Sequence, residues 1–259
     1  MITSDNTPGC GPVLKYLFKK HEELETISIY LDRERCAEDE KDIVLTIFSN
    51  LNLRYIKIQE MEITEDIVGC LPSTLPNLEK LALNQTSLSY QGLIEILNRS
   101  ENIRELDLSY SKITGVGVEE GVNSLPNLEV LNLTWCDNLP DGGLKEILRL
   151  SGNKLRVLDV FATKLTGQEL KEGVSLPMLE ELNLGGCESE QLTDSGLLEI
   201  LSISGRRLKT VNLSLSVHHY IYTETSFGVM SYGVKCNLSA GIRSTLRIQY
   251  PSVQFKYNW

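Results

Sequence analysis

The sequence predicts an α/β solenoid, a right-handed β-α superhelix of horseshoe form with parallel strands on the concave face and helices outside. Three observations predict it. A short apolar pattern, L-x-x-L-x-L, recurs along most of the chain; each copy is followed by a turn and a helix-like segment; and prolines punctuate the passage to the next copy.

The pattern falls at Leu53/Ile56/Ile58, Leu78/Leu81/Leu83, Ile103/Leu106/Leu108, Leu128/Leu131/Leu133, Leu155/Leu158/Val160, Leu179/Leu182/Leu184 and Leu208/Val211/Leu213, in steps of 25, 25, 25, 27, 24 and 29 residues. Leu24/Ile27/Ile29 extends it backward, and the C-terminal YPSVQFKYNW is expected to hold a last, degenerate strand. Each apolar alternation reads as a strand. The segments SLSYQGLIEIL, KLTGQELKEGV and QLTDSGLLEIL read as helices. In the last of these Thr193 and Asp194 suit a helix start, with Leu197, Leu198, Ile200 and Leu201 as its apolar face. Pro76, Pro126 and Pro177 end the helical stretch before the next strand. Such a unit cannot bury its apolar face alone, so neighbours must stack.

Three regions follow: residues 1–50, an N-terminal capping region with a degenerate repeat; 51–215, the repeats; and 216–259, an irregular C-terminal repeat and cap. The acidic run DRERCAEDEKD is expected on a charged outer helix of the first region. The aromatic-rich segment SVHHYIYTETSFGVMSYGVKCN breaks the period and reads as a loop over the concave face or, the favoured reading, as a cap on the last repeat.

Composition narrows the function. With 259 residues, 41% hydrophobic and 23% charged, the chain can bury a large core. A net charge of −10 repels polyanions, so neither nucleic acid nor an anionic membrane surface is an expected partner, whereas a basic or neutral protein is. The N-terminus lacks the basic start and apolar run of a signal peptide, and no stretch reaches the roughly 20 apolar residues of a membrane span. The expected location is the cytoplasm, or the nucleus. The six cysteines are scattered without CxxC pairs and read as reduced thiols. No phosphate-loop, dinucleotide, zincin or nucleophile-elbow motif occurs, so no enzyme activity, cofactor or metal is expected. The adjacent His218 and His219 are expected in a loop, where they make no metal site.

A small polar residue or cysteine stands three places after each strand's last core residue: Thr86, Ser111, Cys136, Thr163 and Cys187. There it can hydrogen-bond turn backbone, which leucine cannot. With the leucine pattern and the stretches CDNLPDGGLKEIL and CESEQLTDSGLLEIL, the chain resembles the cysteine-containing leucine-rich repeats, a ribonuclease-inhibitor-like group that includes F-box/leucine-rich-repeat proteins, best over residues 50–215. The resemblance implies a non-enzymatic recognition module whose concave face holds a protein partner. In its sharper form it implies substrate recognition for a Skp–cullin–F-box ubiquitin ligase, although residues 1–50 do not read as an F-box. The alternative is inhibitor-like or GTPase-regulator-type binding of a basic enzyme or small GTPase, in families whose units run longer than the step seen here.

The inward columns can be read from the alternation. One is Lys57, Ala82, Asp107, Asn132, Asp159, Asn183 and Asn212; the next two are Gln59, Asn84, Ser109, Thr134, Phe161, Gly185 and Ser214, then Glu60, Gln85, Tyr110, Trp135, Ala162, Gly186 and Leu215. Tyr110, Trp135 and Phe161, from successive repeats, are expected to lie together beside Asp107, Asn132 and Asp159 as a partner-binding patch. Asp107 and Asp159 stand two repeats apart, about 10 Å at about 5 Å per strand, which is wide for a catalytic carboxylate pair.

Overall fold

The computed structural model describes residues 10–30, 40–122, 124–151, 153–186, 192–214, 217–223, 226–232, 238–239 and 241–256. Wherever the apolar alternation is strict, a short strand forms: β1 (Thr26–Tyr30), β2 (Tyr55–Gln59), β3 (Lys80–Asn84), β4 (Glu105–Asp107), β5 (Val130–Asn132), β6 (Val157–Asp159), β7 (Glu181–Asn183) and β8 (Thr210–Asn212). They pair in parallel and in sequence order, and a final strand, β11 (Gln254–Lys256), joins β8. That last strand is the degenerate one expected in YPSVQFKYNW, and β1 is the backward extension at Ile27/Ile29. All 21 pattern residues from Leu53 to Leu213 are buried, in one cluster that runs the length of the stack. Each buried leucine-sized side chain is worth about 1.5–3 kcal/mol relative to exposure.

Helices return the chain outside the sheet: α1 (Cys10–Lys20), α2 (Glu40–Ser49), α3 (Glu65–Gly69), α4 (Tyr90–Asn98), α5 (Val118–Gly121), α6 (Asp141–Leu150) and α7 (Asp194–Ile203). Ser89 caps α4 by accepting from Gly92 N at 3.0 Å, and Thr193 caps α7 by accepting from Gly196 N at 3.2 Å. Leu197, Ile200 and Leu201 are buried and Leu198 is half-buried, as the apolar face required. One expected helix is absent. Over KLTGQELKEGV the chain stays irregular, because Gly167, Glu169 and Gly173 take positive φ of 79°, 66° and 80°. Helical backbone excludes those angles. Leu165, Leu170 and Val174 still point into the core, so the apolar spacing is served without the hydrogen-bonded turns.

Repeats are joined by a recurring backbone bridge. The carbonyl of the residue before each strand accepts two successive N–H groups of the next repeat: Glu25 O from Arg54 and Tyr55, Arg54 O from Glu79 and Lys80, Glu79 O from Arg104 and Glu105, and likewise at Arg104, Glu129, Arg156 and Glu180. The side chains at these positions alternate in sign: Glu25, Arg54, Glu79, Arg104, Glu129, Arg156, Glu180, Lys209. Arg54 reaches Glu79 at 2.5 Å, Arg104 reaches Glu129 at 3.3 Å, and Arg156 and Lys209 flank Glu180 at 3.1 and 2.5 Å. Sequence reading missed this ladder, although an alternation of charge over eight residues at one repeat position is its plain signal.

The C-terminal region departs from expectation. The segment expected to cap the last repeat contains an antiparallel hairpin, β9 (Val217–Thr223) against β10 (Ser226–Tyr232), in a sheet of its own. His218 and His219 therefore lie in a strand and not a loop, opposite Ser231 and Met230. The stack itself goes on through α8 (Ile242–Gln249) and β11, with Leu238, Ile242 and Leu246 buried. Asp194 of α7 holds this closing element by accepting from Ser239 N at 2.8 Å and from its hydroxyl. Of the acidic run, residues 32–39 lie outside the described residues; Glu40 opens α2.

Two predictions follow from these contacts. At the start of α6 a Cβ on Gly143 would overlap the Thr114 carbonyl oxygen, whereas Gly142 has open space. Urea unfolding should therefore show Gly143→Ala destabilised by more than about 2 kcal/mol, with Gly142→Ala unchanged or slightly stabilised. Hydrogen bonds from Lys209 and Arg156 hold the Glu180 carboxyl below its ordinary range. A lowered folded pKa stabilises above the usual carboxylate pKa and is lost as pH falls through the folded value. The urea-midpoint gap between the parent chain and Glu180→Gln should be open at pH 7 and close through the carboxylate range.

Candidate functional site on the concave face

Register fixes what the sheet presents. Lys57, Ala82, Asp107, Asn132, Asp159, Asn183 and Asn212 pair position for position across seven strands, as read from the alternation. The row one strand-step earlier, Tyr55, Lys80, Glu105, Val130, Val157, Glu181 and Thr210, is equally in register and shares the same face. Sequence reading missed it, although it flanks the same leucines.

Just after the strands the backbone turns left-handed at the same point in six successive repeats: Glu60, Gln85, Tyr110, Trp135, Ala162 and Gly186, with φ between 53° and 61°. Each of these residues donates its N–H to the next repeat, Tyr110 to Thr134 O at 2.8 Å and Trp135 to Phe161 O at 2.9 Å. The bridge ties each member of the column to the backbone of the next repeat. Tyr110 and Trp135 stack, with centroids 6.1 Å apart and planes 14° from parallel. A non-glycine residue in this region costs about 1–2 kcal/mol. Tyr110 is 49% exposed and Trp135 half-buried.

The expected three-ring cluster resolves differently. Phe161 belongs to the neighbouring column, and Ala162 takes the next place in the stacking column. The Phe161 ring turns toward Gly185 and Gly186, filling the space a side chain at 186 would need, with Cζ 2.7 Å from that Cβ position. It lies one repeat farther on, in the repeat whose Phe161 carbonyl accepts from Trp135 N.

The acidic margin has a structural task as well. Asp107, Asn132, Asp159, Asn183 and Asn212 each accept, through Oδ1, the backbone N–H two residues on, at 2.9–3.1 Å. These Asx turns steer the chain out of the strand. A side-chain ladder ties some of them together: Thr134 Oγ1 and Asn183 Nδ2 donate to Asp159, and Asn212 Nδ2 donates to Asn183. On the four inward columns of β4 to β7 stand Glu105, Asp107, Asp159 and Glu181, and no lysine or arginine. Glu105 is met by Lys80 at 2.6 Å. The field extends sideways: burial raises the Tyr55 phenol, and the Asp107 and Glu105 carboxylates raise it further. Burial likewise raises the Tyr110 phenol. Both stay neutral donors at pH 7.

Among the described residues no group of three or more His, Cys, Asp and Glu is placed to hold a metal, and no helix is long and apolar enough to cross a membrane.

Comparison with known proteins agrees with this architecture. The family described as "Leucine Rich repeat" matches residues 99–120 and 124–148. Protein PAC2 of Saccharomyces cerevisiae is 23% identical over 223 residues, covering 79% of this chain and 39% of that protein, so the chain spans about two fifths of its length. An internalin from Listeria monocytogenes superposes with a TM-score of 0.58 over 100% of this chain and 66% of its own, at 13% identity, which shows the fold. The yeast Rad7 and Elc1 complex aligns over 74% of this chain and 57% of the matched one, with a TM-score of 0.48 and 18% identity.

The small position beneath the turn is scaffold. Thr86 and Thr163 donate to Leu83 O and Val160 O, and Cys136 Sγ donates to Leu108 O at 3.2 Å while meeting Ser111 Oγ at 3.6 Å. Cys187 lies outside the described residues. Cys136 is fully buried, and burial pushes its thiol above the ordinary value. A thiol held protonated and enclosed is a poor nucleophile. Peptide mapping after brief thiol labelling of the native chain should find the exposed Cys70 modified and Cys136 untouched until denaturant is added.

Proposed function

We propose that this leucine-rich-repeat chain is a non-enzymatic recognition module that captures a protein partner on its concave face, with Tyr110, Trp135 and Phe161 as the apolar anchors and Asp107, Asn132 and Asp159 beside them. The observation that carries the reading is the Tyr110–Trp135 stack. The fold requires a left-handed residue at these two positions, and Ala162 and Gly186 meet that need elsewhere in the same column with small side chains. Two large rings therefore serve no need of the turn, and they leave half of Tyr110 in solvent. Exposed aromatic surface of this kind supplies buried area at protein interfaces. The acid-only inward columns of β4 to β7 favour a partner segment of positive charge.

The family resemblance carries a finer assignment for the same face, that of substrate receptor for a ubiquitin ligase containing Skp and cullin subunits. Purification of the tagged full chain from its own cells tests it. Skp and cullin recovered with the chain support that role; a small GTPase or a single basic enzyme in their place supports the regulator or inhibitor alternative.

Because Ala162 occupies the same turn position at φ 54°, alanine fits at 110 and 135 as well. The double variant Tyr110→Ala/Trp135→Ala should lose partner capture by at least about tenfold, the loss of roughly 1.4 kcal/mol or more expected of paired anchors. Its thermal midpoint should stay within a few degrees of the parent. Loss of cooperative unfolding instead would make the rings structural.

A further inference from the structure

The Asx-turn column contains an asymmetry that the fold does not explain. Asparagine makes the turn at 132, 183 and 212 as well as aspartate does at 107 and 159. At Asp159 the charge has an internal use, because Thr134 Oγ1 and Asn183 Nδ2 both donate to the carboxylate. Asp107 has no such use. Its Oδ1 accepts from Ser109 N, and its Oδ2 has no hydrogen-bond partner among the described residues. Asparagine would serve this turn equally, so the turn does not account for the negative charge at 107.

What stands beside it is specific. Tyr110, three residues on, is the exposed member of the ring stack, backed on one side by Trp135. Between Asp107 and Tyr110 lies Ser109, whose hydroxyl accepts from Asn84 Nδ2 at 2.6 Å. Asn84 is 7% exposed, and its Oδ1 has no hydrogen-bond partner among the described residues. One corner thus combines a flat aromatic face, a carboxylate oxygen left over, and an incompletely bonded carboxamide.

We propose that this corner receives an arginine side chain of the bound partner, the guanidinium lying against the Tyr110 ring and donating to Asp107 Oδ2. This rests on the reading of the concave face as a protein-binding surface. The chemistry selects arginine: a guanidinium is planar, stacks on aromatic faces and carries five donors in a rigid fork, so it can stack and pair at once. An ammonium offers one compact charge and cannot do both as well. The acid-only columns of β4 to β7 and the net charge of −10 draw a cation to the site.

The test uses N-acetyl-arginine methylamide and its lysine and citrulline counterparts, titrated into the full chain while the Trp135 indole N–H is followed by NMR and assigned through Trp135→Phe. A saturable shift with the arginine probe, a weaker one with lysine and none with citrulline is the expected result. Asp107→Asn should erase the arginine response while leaving the unfolding midpoint in place, because asparagine keeps the turn. A citrulline response as large as arginine's, no response at all, or one that survives Asp107→Asn overturns the proposal. Panning a random peptide library against the full chain separates it from the reading beneath. Enriched arginine in peptides that require Tyr110, Trp135 and Asp107 supports both. Peptides that require the rings but show no enriched arginine overturn the arginine site alone, and peptides indifferent to the rings overturn the interface as well.

Discussion

The structure depends on one backbone contact repeated down the stack: a carbonyl just before each strand that accepts two consecutive N–H groups from the next repeat. This bridge fixes the parallel register between repeats. Once it is set, a one-residue slip would turn every leucine of a strand away from the core, so the apolar pattern and the bridge enforce each other. Everything that lies in columns follows from it, including the charge ladder on the edge, the Asx turns at the strand ends and the ring stack beyond them. Individual exposed ion pairs contribute little. Alternation from Glu25 to Lys209 matters for another reason: every neighbour in the ladder carries the opposite sign, so correct stacking meets no like-charge contact.

The bridge also explains why a recognition surface can be placed here at small cost. A left-handed residue follows each of the six strands from β2 to β7, with its N–H tied to the next repeat. Side chains at this position are backed by fixed backbone but not needed by the core. Tyr110 and Trp135 are thereby held face to face before any partner arrives, which lowers the ordering entropy lost on binding. Phe161 reaches the same face from a different column because Gly185 and Gly186 clear the space for its ring. Three successive repeats thus supply apolar surface, two through the turn column and the third from the column beside it.

Much of this was legible in the sequence, for a physical reason. Strands impose a period of two and the stack a period near 25, and both are written in positions such as Leu131 and Leu133 that tolerate only apolar side chains. The column from Lys57 to Asn212 could therefore be drawn without coordinates. The return path is less constrained, since any chain that places Leu165, Leu170 and Val174 inward satisfies the core. Residues 164–174 share the apolar spacing of a helix but run irregularly through glycines, and spacing alone could not separate the two. The hairpin stands outside the repeat's period for a related reason: VHHYIYT and SFGVMSY are seven-residue runs rich in strand-forming residues that pair with each other and not with the stack's sheet.

The site was legible in its members and not in its roles. Composition marks Asp107, Asn132 and Asp159 as an acidic margin, yet only hydrogen bonds separate a carboxylate engaged by its own chain from one that is not. Asp159 is held by Thr134 and Asn183, and Asp107 is held by its turn alone. Two aspartates in the same column, at equivalent positions and of identical chemistry, therefore differ in what they can offer a partner. The distinction arises from their neighbours in the adjoining repeats: both Asn132 and Asn183 spend Oδ1 on their own turns, but Asn183 Nδ2 and Thr134 Oγ1 donate to Asp159, whereas Asn132, at the place beside Asp107 equivalent to Asn183, makes no bond to it. In a stacked repeat each residue's free valence is decided one repeat away, and it is there that a binding surface is composed.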